Sequence, residues 1–214
     1  MENEKSFDTW QSLLLVGWLA VLLGLAIEVI LVVLSAGFGT LKDAYPVLAD
    51  LVQKISWSVI VCVGIAVGTM AGKARGPVMG FAGLLAAPLA FVIARSLHKG
   101  ALAALGVAAA AGPGPSLILI GILKGLQYAS FGLALNWVEK KPWGKLAAYL
   151  ATGLAAGVVF GGMILALVIQ AAPQMLPFPV LVSSVTNEVL FPVGCALVIY
   201  VSKVMKRTLG RSES

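Results

Sequence analysis

Charged side chains are scarce in this chain. They make up 11% of its 214 residues, against about 25% in an ordinary soluble domain. Hydrophobic residues fill 60% of it and the mean hydropathy is +1.00, more apolar surface than one water-soluble core can hide. Collagen-like and disordered classes need compositions that are absent here. Only two cysteines occur, which excludes a disulfide scaffold, and the single histidine, His98, excludes bis-histidine haem and multi-histidine metal sites. Catalytic motifs are missing too. The stretch from Gly68 to Ala74 has glycines before Lys73, but Ala74 stands where a phosphate loop needs Ser or Thr to hold magnesium. Ser183 and Ser184 have no G-x-S-x-G context and no nearby histidine, which argues against a serine hydrolase. The expectation is a chain that is not an enzyme and carries neither cofactor nor metal.

What is present is a set of long apolar runs. A bilayer core of about 30 Å takes roughly 20 mostly apolar residues per helix, and six runs reach that length: 12–38, 55–71, 76–94, 116–138, 146–172 and 180–201. They predict an all-α, polytopic bundle of six transmembrane helices forming one membrane domain over residues 1–214. The first run is too long for a signal-peptide core, and its flank holds Glu2, Glu4 and Asp8 against Lys5 alone, so it reads as a retained helix. With both termini inside, the inner segments carry ten cations from Lys5 to Arg211. The outer ones carry Lys42, Lys54, Arg95 and Lys99. The positive-inside rule therefore predicts N-in/C-in, and the net charge of +6 reports orientation rather than nucleic-acid binding. Residues 40–53, amphipathic and interrupted by Pro46, are expected to lie on the outer face. Residues 101–111 rise only about 16 Å as a helix, which predicts a short interfacial or re-entrant helix between spans 3 and 4, closed by the Gly-Pro-Gly-Pro break at 112–115. The five tryptophans mostly fall near span ends, as an interfacial belt would.

Two glycine ladders stand out, Gly64, Gly68, Gly72 and Gly153, Gly157, Gly161. Spacing of four puts each set on one face, where backbones of neighbouring helices approach closely. A sharper reading is a 3+3 inverted repeat with a site between the halves. Cys62 and Cys195, both intramembrane, read as small buried side chains.

Only Glu28, Lys124 and Glu188 sit well inside the spans. A charge at the bilayer centre costs about 2.5–3.5 kcal/mol on insertion scales, so each must be paired, hydrated or functional. Counted along their helices, all three lie about 12–14 Å below the outer surface and can meet. Gly17, Ala20 and Gly24 share the face of Glu28; Gln127 and Tyr128 lie beside Lys124; Ser184 and Asn187 lie beside Glu188. Pro192 cannot donate to the carbonyl of Glu188, which leaves a free acceptor at that level. Two acids against one amine leave an excess charge of −1, to be balanced by Arg95 reaching inward, by a bound cation or amine, or by a proton. The predicted ligand-binding set is Glu28, Arg95, Lys124, Gln127, Tyr128, Ser184, Asn187 and Glu188. The plainer alternative is an ion pair that only fixes helix register.

Lys124-Gly125, the basic turn Lys140-Lys141, and Asn187-Glu188 with Pro192 ahead of Lys203, Lys206 and Arg207 give the back half a pattern that resembles the substrate-binding S components of energy-coupling-factor vitamin transporters. The resemblance implies six helices and a substrate pocket near the outer face, capped by the first outer loop. It also implies association with a coupling membrane subunit and ATPases. Transport, with an outward-facing small-molecule or ion site, is the first functional expectation. A non-catalytic accessory or scaffold subunit of a larger membrane complex is the second, and an intramembrane enzyme the third. The expected partners are the lipid bilayer, a small ligand and other membrane subunits, with no nucleic acid. Absence of transit and retention signals points to a prokaryotic cytoplasmic (inner) membrane.

Overall fold

Apolar runs in lipid must satisfy their backbone internally, and the helix does so within a single segment. The computed structural model describes residues 2–41, 43–108, 116–172 and 174–212. They form α1 (Glu2–Gly37), α2 (Ala44–Gly68), α3 (Arg75–Ala104), α4 (Leu117–Glu139), α5 (Leu146–Ala171) and α6 (Phe178–Ser212), with a 3-10 turn at Gly72–Ala74. Each of the six helices is long and apolar enough to cross a membrane, and no strand occurs among the described residues. The chain is an all-α integral membrane bundle.

Four helices run further than hydropathy suggests, α1 and α6 at the chain termini and α2 and α3 beside the site. α3 continues through Arg95, His98 and Lys99, so residues 101–104 are its last turn rather than part of a separate short helix. It stops at Gly106, whose φ of +70° only glycine adopts readily. The amide of Val107 donates to Leu102 O (2.9 Å) and that of Gly106 to Ala103 O (3.1 Å), the paired bonds of a Schellman cap. α1 ends the same way at Gly39, with Thr40 N donating to Ser35 O at 2.8 Å. The Gly-Pro-Gly-Pro break lies outside the described residues. α2, in turn, begins at Ala44 and absorbs most of the 40–53 segment. Pro46 falls in its first turn, where a missing amide costs no intrahelical bond, so it starts the helix rather than breaking it.

Each helix packs on its neighbours in sequence, and α6 closes the ring against α1. α2 also reaches across to α6, where the free thiols of Cys62 and Cys195 lie buried with their Sγ atoms 3.2 Å apart. Glycine sets these distances. A Cβ on Gly153 would lie 2.6 Å from Pro192 O, and one on Gly157 or Gly161 would lie 2.8 Å from Val189 Cα or Glu188 Cβ. The α5 ladder is thus the seat of α6. On α2, Gly68 meets Met79 of α3 and Gly64 meets Ala86, but Gly72 lies past the helix end with φ +57° and nothing within 4 Å. That ladder has two rungs rather than three.

The end of the bundle nearest the termini is tied by charge. Arg75 grips Glu139 through both guanidinium nitrogens at 2.9 Å, and Lys203 Nζ sits 2.8 Å from Glu139 Oε1 and 3.5 Å from the Tyr149 hydroxyl. The four residues come from α3, α4, α6 and α5. Of the tryptophans, Trp57 departs from the belt: it is 7% exposed, whereas Trp10, Trp18, Trp137 and Trp143 are all at least half exposed.

Candidate functional site: a charged central cavity

On α2, Val47, Asp50, Lys54 and Trp57 recur every three or four residues and so share one face. Val180, Ser184, Asn187 and Phe191 do the same on α6, with Glu188 beside Asn187. Together with Glu28 and Ser35 of α1, Phe91 and Ala94 of α3, Ile120 and Lys124 of α4, and Ile164 and Val168 of α5, these faces enclose a cavity of about 520 Å³. Small-molecule sites commonly measure about 300–1,000 Å³. All six helices contribute. Thr40 and Leu41 of the α1–α2 loop and Pro179 at the start of α6 line its mouth. Its floor is aromatic: Trp57 stands edge-on to Phe191 (6.2 Å between centroids), and behind it lies the buried Tyr128 (5.9 Å).

Four charged side chains from four helices meet above that floor. Lys54 Nζ lies 2.6 Å from Glu28 Oε2, and Lys124 Nζ pairs with Glu188 Oε2. The Lys124 ammonium also sits over the Trp57 ring, 5.1 Å from its centre. Glu188 owes its position to Gly161, whose missing side chain leaves room for its Cβ. Nearer the mouth, Asp50 Oδ1 is 3.0 Å from His98 Nε2. By rise along each helix, the four charges lie roughly 10–15 Å from the ends of α1, α2, α4 and α6.

The structure brings together five of the eight residues singled out by sequence: Glu28, Lys124, Ser184, Asn187 and Glu188. Gln127 and Tyr128 are fully buried about one turn below Lys124 and do not line the cavity; Gln127 Nε2 donates to Ala156 O at 3.3 Å. Arg95 is elsewhere, exposed on the far side of α3. The second cation is Lys54 instead. The apolar run of α2 starts at Ile55, so a hydropathy boundary put Lys54 outside while the helix carried it in. Asp50 and His98 were missed for the same reason, whereas Trp57, inside the apolar run, reads from sequence as part of the interfacial belt. The spacing of Asp50, Lys54 and Trp57 places all three on one face of a single 44–68 helix, and a helix continued past residue 94 carries His98.

Two ion pairs offset the cost of bringing four charges into a membrane bundle. They also make the cavity bifunctional, with fixed acceptors at Glu28 and Glu188 and fixed donors at Lys54 and Lys124. Ser183, Ser184 and Asn187 add hydrogen-bonding groups beside an aromatic floor. A small polar molecule can exchange its own groups for either half of a pair. No family model, curated protein or solved structure matches this chain.

Proposed function

We propose that the chain is a membrane transport protein whose central cavity is an outward-facing site for a small polar molecule or ion. The observation that carries this reading is the pairing of Glu28 with Lys54 and Lys124 with Glu188 inside a cavity lined by all six helices. Register alone calls for contact between two helices; it does not call for an open space of about 520 Å³ around the charges. With N-in/C-in orientation the mouth faces away from the cytoplasm. Together with the resemblance of the back half to S components, this supports a role as the substrate-binding subunit of a multi-subunit transporter, with a coupling subunit and ATPases as its partners in a prokaryotic inner membrane.

The test is a thermal-shift screen of the purified protein against amino acids, nucleosides, water-soluble vitamins and metal ions, run beside Glu188→Gln. Glutamine keeps an acceptor oxygen for Lys124, so the variant is expected to fold with a melting temperature close to wild type. It should lose the ligand response. A compound at 100 times its Kd adds about 2.7 kcal/mol, which the wild type should display and the variant should lack. A wild type unmoved by the whole panel, beside a Glu188→Gln variant that does not fold, would support the register reading and with it the accessory subunit.

A further inference from the structure

Arg95 and Lys99 are left over from the central site. They lie one turn apart on α3, exposed, while His98 on the other side of the helix turns to Asp50. Neither has an ion-pair partner among the described residues. Both line one end of a second cavity, about 570 Å³, between α3 and α4. Below them its walls are hydrocarbon: Pro88 and Val92 on α3, Ile118 and Ile122 on α4. The cavity arises from two glycines with opposite surroundings. At Gly125 the helices touch, since a Cβ there would lie 3.1 Å from Leu84 O and 3.2 Å from Pro88 Cγ. One turn on, a Cβ on Gly121 would meet nothing within 4 Å, and the helices have parted. By helical rise Lys99 and Arg95 lie roughly 7 and 14 Å from the end of α3, the depth at which headgroups give way to acyl chains.

We propose that this groove holds one anionic phospholipid from the leaflet at the α3–α4 loop end, its phosphate between Arg95 and Lys99 and an acyl chain along the cleft over Gly121. Arg95 offers a planar fork that matches phosphate oxygens, Lys99 adds a second positive charge, and among the described residues no acid pairs with either. Cations that merely snorkel to the interface need no cleft beneath them. Here an apolar cleft runs directly from the pair.

Native mass spectrometry of the full chain, released from micelles supplied with equal phosphatidylglycerol and phosphatidylcholine, tests this. Wild type should retain one phosphatidylglycerol in preference to phosphatidylcholine. Arg95→Gln with Lys99→Gln, both on the surface and expected to fold, should cut that retention roughly tenfold. Gly121→Leu fills the cleft without touching either cation and should cut it comparably. Equal retention of both lipids by wild type would overturn the proposal. So would retention that the charge variant loses and Gly121→Leu keeps, which is diffuse charge attraction, or displacement of the lipid by inorganic phosphate, which is an anion site without an acyl cleft. A co-purifying protein lost from both variants, with lipid unchanged, would make the groove a protein-docking face and sink the lipid assignment.

Discussion

Gly157→Leu should be among the most damaging single substitutions in this chain, and Gly162→Leu, five residues along the same helix, close to silent. The first puts a side chain where Val189 Cα and the carbonyls of Val189 and Glu188 already lie within about 3.2 Å of an added Cβ. Backbone cannot rotate out of the way, so α6 must move off α5. Overpacking of a close-packed contact costs about 1–3 kcal/mol even where side chains can adjust, and here about 3 kcal/mol is a fair expectation. Glu188 would be carried away with its helix and the Lys124 pair opened. Gly162 has nothing within 4 Å and faces out of the bundle. Size-exclusion profiles and melting curves of the two variants in one detergent check this. Equal behaviour would mean that α5 and α6 do not pack through the ladder.

Glu188→Leu should cost about 3 kcal/mol, because it leaves the Lys124 ammonium, 9% exposed, with no acceptor. Adding Lys124→Met should restore most of that loss, since two apolar side chains of similar volume remove the uncompensated charge and methionine packs well on the Trp57 ring. The coupling between the two substitutions, read from a double-mutant cycle of denaturation midpoints, is the signature of a direct pair. Additive effects would mean that the two groups do not meet in the membrane. The double variant also separates architecture from activity: it should fold, yet show no response to any compound that shifts the wild type.

Much of this arrangement was written in the hydropathy of the chain, and the misplaced helix boundaries beside the site share one cause. Spans such as 116–138 and 146–172 agree with α4 and α5 to within a residue, because apolar runs there begin and end where the helices do. At α2 and α3 the helix outlasts the apolar run. Asp50 and Lys54 open one and Arg95, His98 and Lys99 close the other, so composition reads loop where the backbone stays helical. That single confusion hid the partner of Glu28 and misdirected Arg95 toward the cavity. Depth counting could place Glu28, Lys124 and Glu188 at one level, but not say which acid takes Lys124. The answer depends on how α4 and α6 turn toward each other across the ring, and α1 supplies its own acid to α2 instead. The approach of Cys62 to Cys195, 133 residues apart, likewise has no local signal.

The most direct test of a ligand site between the two ion pairs is an experimental density map of the protein with the strongest compound from the thermal-shift screen. The account predicts non-protein density above Trp57, within hydrogen-bonding reach of the Lys124 ammonium and of Glu28 or Glu188. A cavity collapsed onto its own side chains, with the compound bound outside the ring of helices or nowhere, would contradict it.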